Sequence, residues 1–129
     1  MDFVFLCVDS GAAKSPAVKH LEEQGTPFID VGMGIEMGDD ALVGVLRVTL
    51  STAEQREPLR CRVGMGEADV DEAYATNIQV ADLNALNATL AVIRWKKLVG
   101  FYADFEGEYS SNYTIDGNTI DNMDRRDGD

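Results

Sequence analysis

The chain has 129 residues and a formal net charge of −12, because 23 Asp and Glu outnumber 11 Lys and Arg. The length suits one compact domain, and a hydrophobic share of 45% is enough for a core. Such an acidic surface repels phosphate backbones, so we expect no nucleic-acid partner. The two cysteines form no C-x-x-C pair and predict neither a structural zinc site nor a disulfide framework.

The N-terminus lacks the pattern of a signal peptide, since its apolar run is short and already carries Asp2. The longest apolar stretch is interrupted by Asp82 and Arg94, which argues against a membrane span. We therefore expect a cytoplasmic protein without a membrane partner.

The first third of the chain predicts one βαβ unit. Residues 3–8 form a continuous apolar run rich in β-formers, which indicates a strand buried on both faces in a parallel sheet. Ser15 as a cap and Pro16 at the first helical position predict the start of a helix, and Gly25 predicts its end. The next strand is expected over residues 27–31.

Three glycines follow that strand, at positions 32, 34 and 38. The spacing Gly32-x-Gly34-x-x-x-Gly38 does not fit the dinucleotide-binding motif G-x-G-x-x-G, and a strand rather than a helix follows it. We interpret the glycines as a bend of the backbone between two strands.

The middle of the chain predicts a long strand and then a loop. Residues 42–50 alternate in the strand pattern and follow a turn at Asp39 and Asp40, which favours antiparallel pairing. Residues 51–70 are polar and are predicted to be irregular.

Cys61 lies in this predicted loop between Arg60 and Arg62. Two cations lower the pKa of a thiol and favour the thiolate that forms a thioester. The alternative is an incidental thiol, because no general base is identifiable nearby.

A long helix is predicted from about Asn77 to Val99, opened by a T-x-x-Q capping box over residues 76–79 and ended by Gly100. Its apolar residues cover most of the circumference, which requires burial on all sides. We therefore expect a second subunit to cover part of it, in a homodimer. Four polar residues form either a buried network or a solvated strip, namely Asp82, Asn84, Asn87 and Arg94.

The last part predicts a hairpin around Asp116-Gly117, followed by a polar tail over residues 121–129. Together these elements indicate an α/β fold with a mixed sheet, one βαβ unit, antiparallel strands and a long buried helix. Asp9 comes directly after the first strand, where ligands bind in open α/β sheets. There it would hold Mg²⁺ or a ribose hydroxyl, or it would cap the helix; both interpretations stay open.

This order of elements resembles the middle of ThiF/MoeB-type proteins, which are relatives of the ubiquitin-activating enzymes. The segments from 74 to 87 and from 93 to 102 resemble a bacterial ThiF-like subgroup more particularly. The other matching segments are 7–10 (Cys-Val-Asp-Ser), 25–29 (Gly-Thr-Pro-Phe-Ile) and 42–46 (Leu-Val-Gly-Val-Leu).

The resemblance implies that residues 1–120 are the C-terminal half of an adenylation domain, a partial Rossmann-like fold. Such an enzyme activates the C-terminus of a ubiquitin-like or sulfur-carrier protein with MgATP. Asp9 would be the catalytic residue and the Mg²⁺ ligand, and Asp9, Ser10 and Lys14 would position ATP. Ser10 stands where the family has Asn, and Lys14 stands where it has Arg, so the forked donor geometry is lost.

The family's first half, with its Gly-rich ATP cradle, has no counterpart in these residues. We therefore expect the chain to be inactive alone. The alternative function is a non-catalytic dimerisation or interaction module derived from that fold. A small-molecule-binding domain is a third possibility, with no motif in its favour.

Overall fold

The computed structural model describes residues 2–8, 11–62 and 80–125, which form a five-stranded mixed sheet with helices. The strands lie in the order β1-β2-β3-β4-β5; β1 is parallel to β2, and the other neighbours are antiparallel. The predicted α/β class is confirmed, and so is the βαβ unit. In chain order the elements are β1 Val4–Leu6, α1 Gly11–Gln24, β2 Phe28–Met37, β3 Leu42–Ser51, α2 Glu57–Arg62, α3 Ala81–Leu98, β4 Glu108–Thr114 and β5 Thr119–Arg125.

The helices lie on opposite faces of the sheet. One buried cluster joins α1 and α2 to the sheet, and a second cluster joins α3 to the other face. Phe28 belongs to the first cluster and Ile29 to the second, because successive side chains of a strand point to opposite faces. The first cluster contains Leu6, Val18, Leu21, Phe28 and Leu59; the second contains Ile29, Val48, Leu50, Ala91 and Tyr109.

β1 is shorter and more exposed than predicted. It spans Val4–Leu6 at the edge of the sheet, and the side chain of Phe5 is 40% exposed. The expectation of burial on both faces was wrong, because β1 lies at the edge of the sheet and the face that carries Phe5 stays partly open to solvent. Phe5 instead joins an aromatic group with Phe3 and Trp95, whose ring centroids lie 5.3–6.4 Å apart.

α1 begins at Gly11, four residues before the predicted cap at Ser15, and Pro16 lies inside it. Pro16 has no amide hydrogen, so the helix lacks one backbone bond there. The predicted end is confirmed: Gly25 has φ +69°, and the amide of Thr26 donates to the carbonyl of Leu21 over 3.0 Å.

β2 continues through the glycines, so the predicted bend was wrong. Gly32 pairs with Arg47 and Gly34 with Val45. The chain turns later, where the amide of Gly38 donates to the carbonyl of Ala41 over 2.8 Å, as predicted for the turn before β3. Gly32 has another function, because a Cβ there would lie 2.6 Å from Nη2 of Arg47.

The predicted loop over residues 51–70 contains α2, Glu57–Arg62. Leu59 is fully buried against both the sheet and α1, so one apolar side chain anchors this short helix. Cys61 belongs to α2 rather than to a loop. Its side chain lies outside the part of the chain that the structure describes, and so do residues 63–79.

α3 begins at Ala81, after the extended residue Val80. This start is four residues later than predicted, and the proposed capping box over residues 76–79 lies outside the described residues. The helix buries only one stripe, with Asn87, Ala91 and Arg94 at its centre. The expectation of a helix buried on all sides was wrong for the single chain.

The four polar residues of α3 divide between the two predicted alternatives, a buried network and a solvated strip. Asn87 and Arg94 are buried, whereas Asp82 and Asn84 are exposed. The apolar pattern of α3 gave a wrong prediction of its burial, because polar side chains occupy part of the buried stripe. Several apolar side chains therefore lie on the outer face of the helix.

The predicted hairpin is confirmed, with β4 and β5 joined around Asp116 and Gly117. The prediction of a polar tail was wrong for residues 121–125, because they belong to β5. That strand lies at the edge of the sheet, where polar side chains are solvated. Residues 126–129 lie outside the described residues. None of the described helices combines the length and the apolarity that crossing a membrane requires.

Candidate functional site

The candidate site lies at the carboxyl end of β1. Parallel pairing sets Leu6 beside Asp30 of β2, and the chain then continues through Cys7 and Val8. The predicted site residues Asp9 and Ser10 come next and lie outside the described residues. The third, Lys14, lies in the first turns of α1, above β2.

Lys14 forms a buried ion pair with Asp30, a residue that the sequence analysis missed. Its Nζ lies 3.0 Å from Oδ1 and 3.3 Å from Oδ2 of the carboxylate. Lys14 is 5% exposed and Asp30 is fully buried. The periods of the helix and of the strand bring the two residues together. The helical period places Lys14 with Val18 and Leu21 on the inward side of α1. The strand period of two places Asp30 on the same face of β2 as Phe28, which is the face that α1 covers.

Burial raises the pKa of the Asp30 carboxyl above its ordinary value, and the cations of Lys14 and Arg47 oppose that rise. Burial and the Asp30 carboxylate likewise raise the pKa of the Cys7 thiol, against a smaller opposing effect of Lys14. Burial opposes ionisation of both groups. Asp30 is compensated by its ion pair with Lys14, whereas for Cys7 the nucleophilic thiolate is disfavoured.

Arg47 and Asn112 extend the site along the same face of the sheet. Gly32, Arg47 and Asn112 form one cross-strand row on β2, β3 and β4. The missing side chain of Gly32 leaves room for the guanidinium of Arg47. The Nε of Arg47 and the Oδ1 of Asn112 are both buried and have no hydrogen-bond partner.

The residues Arg47 and Asn112 line an open groove of about 300 Å³. Most of the other lining residues belong to the β2–β3 hairpin. One unmatched donor and one unmatched acceptor on neighbouring strands fit a ligand that offers the reverse pair, as a peptide group does. The groove is lined by Gly34, Ile35, Glu36, Val45, Arg47 and Asn112.

The described residues do not make a triphosphate site by themselves. Lys14 is engaged by Asp30, and Arg47 is the one cation among the residues that line the groove. Within residues 2–8, 11–62 and 80–125, no group of three or more His, Cys, Asp or Glu is placed to hold a metal ion. Magnesium binding through Asp9 therefore stays a prediction.

Part of this site carried a signal in the sequence. Arg47 is a charged residue in an otherwise apolar, alternating strand, opposite a glycine on the neighbouring strand. The sequence around Asn112 gave no sign that this residue belongs to the site, because only the register of β3 and β4 brings it beside Arg47.

Comparison of the sequence with models of known protein families, and with curated proteins, gives no match. The fold and the site define an α/β protein with an open mixed sheet and a groove that contains Arg47 and Asn112. The likeness to ThiF/MoeB-type proteins rests on the sequence segments alone.

Proposed function

We propose that the chain is the C-terminal portion of a ThiF-like adenylyltransferase, which activates the C-terminus of a ubiquitin-like or sulfur-carrier protein with MgATP. The observation that carries the proposal is the groove. Its lining comes from β2, β3 and β4 and includes Arg47, with its unmatched donor, and Asn112, with its unmatched acceptor. An extended peptide tail satisfies both atoms with its carbonyl and amide groups.

The reaction joins a carboxylate oxygen of the tail to the α-phosphorus of ATP and breaks the bond to pyrophosphate. Catalysis of this kind consists mainly of positioning and electrostatic stabilisation. In the proposal, this chain holds the peptide that leads to the reacting carboxylate. Arg47 donates to a peptide carbonyl, and Asn112 accepts from a peptide amide. Asp9 takes the role that the resemblance implies, as a ligand of Mg²⁺.

The nucleotide-binding part of the active site is proposed to come from other residues. The 129 residues contain no G-x-G-x-x-G motif. Among the described residues that line the groove, Arg47 is the one cation, and Glu36 is an acid. A Gly-rich strand–turn–helix, in the same polypeptide or in a second one, would supply the missing donors.

The role of the groove is tested by the KM for the carrier protein in ATP–pyrophosphate exchange with the completed enzyme. Arg47→Ala should raise that KM roughly tenfold, the effect of one lost charged hydrogen bond, with a smaller change in kcat. Lys19→Ala, which removes an exposed cation of α1, is the control. An unchanged KM in Arg47→Ala would remove the groove from the proposal.

A second candidate function is a non-catalytic association module. The outer face of α3 favours it, because Leu86, Val92 and Ile93 are 36–40% exposed on the single chain. A module of this kind would assemble through α3 and show no exchange activity with any nucleotide-binding half or carrier protein.

A further inference from the structure

The outer face of α3 has an ordered composition that the candidate site does not use. With the buried stripe at Asn87, Ala91 and Arg94, the helical period places seven residues on the opposite side. Most of them are apolar or small, and one charge lies at each end of the row. They are Asp82, Ala85, Leu86, Thr89, Val92, Ile93 and Lys96.

These residues are arranged symmetrically about Thr89. Leu86 and Val92 lie three residues to either side of it, and Ala85 and Ile93 lie four residues away. Asp82 and Lys96 lie seven residues away, the first negative and the second positive. Reversing the direction of the helix therefore exchanges apolar positions with apolar positions and the acid with the base.

We propose that this face binds a second copy of the same chain, with the two α3 helices antiparallel and the two-fold axis at Thr89. A two-fold interface requires a self-complementary patch, and this row is one. Asp82 of each copy would face Lys96 of the other, so the interface contains two opposite-charge pairs. A parallel arrangement would set acid against acid and base against base.

The centre of the row suits close contact between two helices. Ala85 and Thr89 are small, which permits an axial distance at the short end of the usual range, about 8 Å. The hydroxyl of Thr89 already donates to the carbonyl of Ala85 over 2.9 Å. Covering Thr89 would therefore leave no unpaired donor, and only its methyl group would face the second copy.

Charge also favours a second copy over a basic partner. The chain has a net charge of −12, yet the row carries one acid and one base and is neutral. An acidic protein that bound a basic partner here would present acids around the contact, as electrostatic complementarity requires. The inference does not depend on adenylation, so it can fail while the proposed function holds.

Sedimentation of the full chain at micromolar concentration tests the interface. The wild type should sediment as a dimer of the 14.1 kDa chain. Ile93→Glu should give a monomer, because it places two charges near the two-fold axis. Ile120→Glu, the same change at an exposed isoleucine of β5, should leave the dimer intact. A wild-type monomer, or an Ile93→Glu dimer of unchanged affinity, would overturn the proposal.

A charge exchange tests the antiparallel direction without relying on loss of assembly. Asp82→Lys and Lys96→Glu should each weaken the dimer about tenfold, because each puts like charges opposite one another twice. The double variant should recover the wild-type affinity, since the opposite-charge pairs are then restored in reversed order. Equal affinities of the wild type and all three variants would indicate a parallel dimer, in which every variant still sets like charges opposite one another, and would contradict the assignment.

Discussion

The pair of Lys14 and Asp30 is deeply buried, with side-chain exposures of 6% and 0%. Desolvating two charges costs several kcal/mol per ion, and their attraction and hydrogen bonds offset most of that cost. Removing one member leaves the other charge buried without compensation. The pair therefore makes the packing of α1 on β2 depend on both residues together.

Lys14→Met should lower the free energy of unfolding by about 3–5 kcal/mol, because Asp30 then lies buried beneath α1 without its cation. The double variant Lys14→Met, Asp30→Leu should be clearly more stable than the single variant. Urea denaturation measures both, with Lys19→Met on the exposed side of α1 as a control that changes stability by under about 0.5 kcal/mol. Equal stability of Lys14→Met and the control would contradict this account of the pair.

The pH dependence of stability should report Asp30. Its folded-state pKa is raised, so the folded chain retains the proton above the ordinary value of 3.8 while the unfolded chain releases it. The advantage of the wild type over Asp30→Asn should therefore be largest below that value and fall as pH rises through the raised pKa. Denaturation curves of both proteins over this window give the difference. An advantage that grows with pH would mean that the ion pair lowers the pKa of Asp30.

Sequence reasoning located some of these residues but not their contacts. Lys14 was selected by its resemblance to a family position, yet its buried partner Asp30 was not, because a carboxylate inside a short apolar strand gives no sign of what lies above it. Asn112 depends on strand register across 65 residues of chain from Arg47, which local patterns do not encode. The roles of Asp9 toward Mg²⁺ and of Asp9 and Ser10 toward ATP stay predictions.

Among the elements, α3 is held to the sheet by polar groups as well as by apolar packing. Nε of Arg94 donates to the carbonyl of Glu108 over 2.8 Å, and Nη2 lies 3.2 Å from the carboxylate of Asp104. Asp104 also accepts the amide of Gly107. Arg94 thereby connects the helix to the start of β4 and to the loop between them, where Phe105 is 94% exposed.

Arg94→Met should cost about 2–4 kcal/mol of unfolding free energy, because a buried carbonyl and a carboxylate lose their donor. Lys97→Met is the matched control. Lys97 pairs with Glu108 over 3.2 Å; its own side chain is 30% exposed and that of Glu108 is 5% exposed, so its loss should cost less than that of Arg94, about 1 kcal/mol. Chemical denaturation distinguishes the two, and similar costs would show that burial of the Arg94 contacts is unimportant.

Elements with a clear local period were predictable, and those decided by tertiary contacts were not. The alternating pattern of β3 and the Gly25 stop of α1 both hold in the structure. The start of α1 was misplaced, because Pro16 is tolerated in the second turn by a helix whose inward face is anchored through Lys14 and Val18. The burial of α3 was predicted wrongly, because the buried face of the helix depends on which of its polar residues have hydrogen-bond partners elsewhere in the fold.

At the scale of the whole molecule, the groove, the α3 surface and the β1 edge lie on different parts of one α/β domain. The groove lies on the α1 face of the sheet, and α3 covers the opposite face. A second copy bound to α3 would therefore leave the groove open. The proposed assembly and the proposed peptide binding are thus compatible in one molecule.

The chain alone should bind MgATP no tighter than about 1 mM, which corresponds to roughly 4 kcal/mol. Arg47 is the one cation among the described residues that line the groove, and the net charge of −12 disfavours a triphosphate. Calorimetry with MgATP measures the affinity directly, and sodium sulfate at the same ionic strength serves as the control. Micromolar affinity would show that the nucleotide site lies within this chain.

The central claim is tested most directly by ATP–pyrophosphate exchange. The chain is mixed with a Gly-rich nucleotide-binding half encoded beside it and with carrier proteins ending in Gly-Gly. Exchange should require all three components, and Asp9→Ala should abolish it while the circular dichroism spectrum stays unchanged. If no combination supports exchange while the chain is folded, or if the Asp9→Ala mixture exchanges at the wild-type rate, the assignment to ThiF-like adenylation at this position is contradicted.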